Sequence, residues 1–119
     1  MGKKIKKEDN FLELIPKKNP KYQWIEKEDE LVQVIIPRDK ILDKIVRKFF
    51  KTPEHFKIDL DRIGSFIFKN IDGKNNVEEI GKLLKKQFGQ EVEPLYERLV
   101  TYINILRNNK FIILERVGD

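Results

Sequence analysis

From residue 56 to residue 60 apolar and polar positions alternate, with Phe56, Ile58 and Leu60 set against Lys57 and Asp59, which is the period of a half-buried strand. Asp61 follows at once and is placed to accept hydrogen bonds from the free N–H groups of a first helical turn. Ile63, Phe66, Ile67 and Ile71 then recur at three- and four-residue steps, predicting a helix over residues 61–71 that Asp72-Gly73 would end. A second helix starts at Asn75 or Asn76 and carries Val77, Ile80, Leu83, Leu84 and Phe88 as one stripe up to a stop at Gly89. A third spans residues 94–109, with Pro94 suited to a first helical position because its missing N–H is no loss there.

Upstream, residues 22–26 and 31–36 are two strand-like runs separated by Lys27-Glu28-Asp29-Glu30, the pattern of a hairpin. Residues 11–15 are the first stretch able to pack, and Pro16 and Pro20 frame a turn after it. Trp24 is expected in the core or under the segment that follows the hairpin. In that segment, residues 39–51, Ile41, Leu42, Ile45, Val46, Phe49 and Phe50 fall on one broad face, which predicts an amphipathic helix capped by Asp39. Residues 111–114 form a short apolar tail that can also be read as a minor strand. Residues 1–10 read as a disordered basic tail, since apart from Ile5 nothing there can be buried to offset the entropy of ordering.

The third helix is apolar over more of its circumference than one packed face requires. Leu95, Leu99, Ile103 and Leu106 share a line, Tyr96 and Val100 widen it on one side, and Tyr102 and Ile105 widen it on the other. One of these edges faces another element or lines a groove.

Composition narrows the chemistry. The chain of 119 residues is long enough for one domain, residues 11–119, and has no cysteine, so disulfides and thiolate metal sites are excluded. His55 is the only histidine and Ser65 the only serine, with no base near Ser65 in sequence, so neither a nucleophilic triad nor a metal-ligand spacing can be assembled. The expectation is a protein that is not an enzyme and holds no metal or other cofactor. No apolar run is long enough to span a bilayer and no secretion signal is evident, which makes a cytoplasmic location without membrane attachment the expectation. The net charge of +5 raises nucleic-acid binding, but residues 1–24 hold seven Lys against three acidic residues, leaving eighteen basic and seventeen acidic residues for the rest. Between Pro94 and Lys110 only Arg98, Arg107 and Lys110 are basic, a weak endowment for a helix that reads DNA.

The run Leu60, Asp61, Gly64, Ile67, Phe68, Ile71, Asp72, Gly73, Val77, Glu79 and Ile80, continued by Leu99, Tyr102, Ile103, Leu106, Phe111 and Ile112, resembles the PqqD-like family, the pyrroloquinoline quinone biosynthesis protein D-like proteins also described as RiPP recognition elements. The resemblance covers the C-terminal half well and residues 11–55 loosely, since this chain inserts a helix-like segment before the third strand where the family has a short turn. It implies an α+β fold, a three-stranded antiparallel sheet with a three-helix bundle like a winged helix-turn-helix, here with the extra amphipathic helix. It also implies a peptide-binding role: holding the leader of a ribosomally made precursor peptide for a modifying enzyme, often a radical SAM maturase. By the resemblance the peptide adds as a strand along Phe56, Lys57, Ile58 and Asp59, with Arg98, Tyr102, Ile105 and Asn109 lining the opposite wall. A winged-helix DNA-binding protein is the alternative reading of the same architecture.

Overall fold

A computed structural model of the chain describes residues 10–37 and 55–116. The expected helix over residues 39–51 and the tail over residues 1–9 lie outside the described residues. In chain order the regular elements are β1 (Ile15–Lys18), β2 (Gln23–Glu26), β3 (Val32–Pro37), β4 (His55–Asp59), α1 (Arg62–Lys69), α2 (Val77–Phe88), α3 (Leu95–Asn108) and β5 (Ile112–Glu115). They fall into two compact units, Pro20–Ser65 and a second made of Met1–Asn19 with Phe66–Asp119.

The first unit is the expected three-stranded antiparallel sheet, in the order β2-β3-β4. Val34 stands opposite Trp24 on one side and Ile58 on the other, so these three side chains share a face. Along β3, Val32, Val34 and Ile36 are buried, while Gln33 and Ile35 between them are half-buried. The hairpin between β2 and β3 closes through Lys27 N–H donating to Leu31 O at 2.9 Å and Glu30 N–H to Lys27 O at 2.8 Å, with Glu30 at φ 69°. Trp24 is 36% exposed, on an edge strand none of whose residues is buried, so it is not a core residue of the sheet; the segment it is alternatively expected to pack under lies outside the described residues.

At the end of β4 the chain turns straight into α1. Asp61 caps it as expected, its carboxylate accepting the Gly64 N–H at 2.7 Å. The regular helix ends at Lys69 rather than running to residue 71. Asn70 and Ile71 continue it as a tighter turn, with Ile71 N–H donating to Phe68 O. Gly73, at φ 78°, therefore shapes the connection rather than the helix end, beside Asp72, whose carboxylate accepts the N–H groups of Lys74 and Asn75, both at 2.8 Å.

The second unit is built around α2 and α3. Asn76 and Glu79 form a reciprocal capping box at the start of α2, and Gly89 at φ 61° ends it. Val77, Ile80 and Leu84 are buried from α2, as are Leu99, Ile103 and Leu106 from α3. Leu83, expected in the same stripe, is 37% exposed, one step off the packed line. The two helices approach closely at Gly81, where a Cβ would stand 3.0 Å from Tyr96 Cε1 and 3.1 Å from Leu99 Cδ2. Phe66 meets Phe88 edge to face at 5.4 Å.

The apolar segments at the two ends of the described chain find each other. β1 and β5 pair antiparallel, Pro16 opposite Leu114, as a separate two-stranded sheet. The β1 region is also tied to the α1–α2 connection, since Gly73 N–H donates to Pro16 O and Val77 N–H to Leu14 O.

Candidate functional site

Strand β4 is an edge: β3 pairs with one side of it, and no strand pairs with the other among the described residues. Which of its groups face that free side follows from the ladder. Leu60 N–H donates to Val32 O at 2.9 Å, so Leu60 and Val32 are a hydrogen-bonded pair. In an antiparallel ladder bonded and non-bonded pairs alternate. Ile58 with Val34 and Phe56 with Ile36 are then bonded pairs, whereas Lys57 opposite Ile35 and Asp59 opposite Gln33 are not. The N–H and C=O of Lys57 and Asp59 point away from β3. The other side of β3 agrees, because the bond from Lys27 N–H to Leu31 O directs the odd-numbered residues of β3 toward β2.

The side chains along this edge divide by face. Ile58, 37% exposed, lies beside Val34 on the face that carries the buried β3 residues. Lys57 and Asp59 are exposed on the opposite face, where Asp59 Oδ1 accepts from Gln33 Nε2 at 2.9 Å and Lys27 Nζ at 3.1 Å. The Gln33 amide, with Lys27 adding a second bond and charge, holds the Asp59 carboxyl below the usual carboxylate range. Lys57 makes no hydrogen bond or ion pair among the described residues. Phe56 lies opposite Ile36 in the ladder.

Arg98, Tyr102, Ile105 and Asn109 form one stripe along α3 and its C-cap, at steps of four, three and four residues. Ile105 is 52% exposed, Arg98 and Asn109 are exposed, and Tyr102 is half-buried. Arg98 Nη1 donates to Glu91 O at 3.1 Å, and Asn109 Nδ2 to Ile105 O at 2.8 Å, which folds the amide back onto the helix end. On the opposite edge of α3 the Tyr96 ring lies against Gly81 and is 39% exposed, less than Ile105. Of the two edges that the sequence leaves open, the Ile105 edge is therefore the more available. The four strand residues belong to the first unit and the four helix residues to the second.

Other candidates resolve into structure. Ser65 is 1% exposed, and its hydroxyl accepts from Val32 N–H at 2.8 Å and donates to Leu60 O at 3.2 Å, so it is not a nucleophile in waiting. Glu79 belongs to the capping box. Lys18 Nζ donates to Ile71 O at 2.6 Å and lies 5.1 Å from the Phe68 ring centre, with burial lowering its pKa against the opposing pull of Asp72. Among the described residues no group of His, Asp and Glu side chains is arranged to hold a metal ion, and no helix is long and apolar enough to cross a membrane. Sequence reasoning missed Gln33 and Lys27 beside the edge. Gln33 was legible as the polar position between Val32 and Val34, but its bond to Asp59 depends on the register of two strands far apart in sequence.

Residues 40–112 match the family model described as Coenzyme PQQ synthesis protein D (PqqD), a span that takes in β4, α1, α2, α3 and the first residue of β5. No curated protein and no solved structure matches the chain.

Proposed function

Because the chain belongs to the PqqD family, we propose that it is a non-catalytic peptide-binding protein that holds the leader of a ribosomally made precursor and presents it to a separate modifying enzyme, a radical SAM maturase in the reading argued from family resemblance. The observation that supports this most directly is the edge of β4, where Lys57 and Asp59 direct backbone donors and acceptors away from the sheet. An extended peptide pairs with such groups whatever its sequence, which supplies affinity, while neighbouring side chains supply choice. Phe56, Lys57, Ile58 and Asp59 serve as the receiving strand in this reading. Arg98, Tyr102, Ile105 and Asn109 contribute side-chain contacts, for which the exposure of Ile105 speaks. The protein supplies no reaction chemistry of its own and works in the cytoplasm, where the precursor is made.

The test is a titration of the isotope-labelled full chain with the leader of a precursor encoded beside its gene, followed by amide chemical shifts. Saturable shifts concentrated at residues 56–59 and along the 98–109 stripe are expected. Saturable binding that leaves the β4 amides unmoved overturns strand addition. Tight association with mixed-sequence duplex DNA at about 150 mM salt, where screening already suppresses weak electrostatic contacts, overturns the peptide reading.

A further inference from the structure

Three charged side chains cluster on the outer face at the β4 edge: Lys27, Lys57 and Asp59. One ion pair uses up two of them. Asp59 is held by the Gln33 amide and by Lys27 and feels the Lys57 charge only at longer range, so Lys57 is exposed and makes no hydrogen bond or ion pair among the described residues. The same residue turns its N–H and C=O outward. Lys57 therefore combines a backbone docking point with an exposed ammonium group that no hydrogen bond or ion pair ties down among the described residues.

We infer that Lys57 is a specificity-determining residue, and that the peptide received at this edge carries an acidic side chain directly opposite it with an apolar residue next to that acid; this rests on the strand addition proposed above. The register fixes the pattern. A residue opposite Lys57 in a fourth strand has its side chain on the Lys57 face, a few ångströms from the ammonium group, whereas its neighbour opposite Ile58 turns to the other face. There it meets the partly exposed Ile58, flanked by buried Val34. A basic residue opposite Lys57 sets like charges face to face, so the edge rejects as well as selects. Two positions from the acid, opposite Asp59, an uncharged polar residue suffices because that carboxylate is already paired.

The experiment selects from a library of short random-sequence peptides displayed on phage, using the full chain and its Lys57→Glu and Lys57→Gln variants, with folding of each checked by circular dichroism. Wild type is expected to enrich Asp or Glu next to an apolar residue, Lys57→Gln to lose the preference, and Lys57→Glu to replace it with Lys or Arg. For a peptide so selected, Glu→Gln opposite Lys57 is expected to weaken binding by roughly two- to fivefold, the range of an exposed cross-strand charge pair, with a larger effect at low salt. Peptides enriched without a charge preference, or with one that Lys57→Glu leaves intact, overturn the role of Lys57 while strand addition stands. Failure to enrich any peptide overturns strand addition itself, and the inference with it.

Discussion

The hydroxyl of Ser65 stands between the Val32 amide, from which it accepts at 2.8 Å, and the Leu60 carbonyl, to which it donates at 3.2 Å. A closed antiparallel pair would join that N–H and C=O directly. Here the amide of Leu60 still bonds to Val32 O, so one half of the pair is kept and the other is spliced through a side chain from the first turns of α1. The ladder opens enough for the chain to leave it, while the Val32 amide and the Leu60 carbonyl both keep a partner.

Ser65→Ala leaves the Val32 N–H, on a residue with no exposed surface, without its acceptor. The expected loss is about 1–3 kcal/mol, the cost of an unsatisfied buried donor, measured by urea denaturation. A loss below about 0.5 kcal/mol, the level of a neutral surface change, would show that the ladder closes again without the hydroxyl.

Proline separates the two sides of β4. Lys57→Pro removes an amide that β3 does not use, so the fold is expected to survive while leader affinity collapses. Ile58→Pro removes the donor to Val34 and is expected to cost at least about 1–3 kcal/mol. A larger loss of stability for Lys57→Pro than for Ile58→Pro would place the ladder in the opposite phase.

The two edges of α3 differ in the same way. Ile105→Ala is expected to change stability by no more than about 0.5 kcal/mol, as at other exposed positions, and to weaken leader binding measured by calorimetry. Tyr96→Ala uncovers Gly81 and the contact with α2, so its effect falls mainly on stability. The reverse ranking would shift the peptide contacts to the Tyr96 edge.

Asp72 gives an acid limb. The Asn75 N–H, followed by that of Lys74, holds its carboxyl below the usual carboxylate range, so the folded state binds the proton less readily than the unfolded chain. Its contribution is complete above the unfolded pKa, about 3.9 for a free Asp side chain, and fades as pH falls from there through the lower folded pKa. Asp72→Asn should therefore be less stable than wild type at neutral pH, with the gap narrowing through that window. A constant gap across it would mean that the carboxylate contributes nothing through ionisation.

Much of the local structure is legible in the sequence because short-range chemistry decides it. Asp61, Asn76 and Gly89 mark helix ends by residue type alone, and α2 runs over the residues its periodicity indicates. What the sequence leaves open is decided by distant parts of the chain. Ile112–Glu115 becomes a strand only because Ile15–Lys18, almost a hundred residues earlier, lies beside it. Of the two places open to Trp24, the sheet core is excluded by its position on an edge strand, and Leu83 loses its place through the direction in which α2 faces α3. For the candidate site, alternation along residues 56–60 indicates a strand but not which amides it spends on β3. That phase comes from the pairing of Leu60 with Val32.

The pairing of β1 with β5 also separates the stretch of chain recognisable as family from the stretch that must be present for folding. A fragment trimmed to residues 40–112 would keep one residue of β5, lose β1 with its buried Pro16 and the buried Leu14 just before it, and lose the carbonyls that receive the Val77 and Gly73 amides. It would also lack β2 and β3, and with them the ladder that holds the outward-facing edge in register. Excising the matched span for fusion to a maturase would therefore transplant the family signature without the scaffold that shapes it, and a useful graft has to begin no later than Asn10 and continue at least to Glu115.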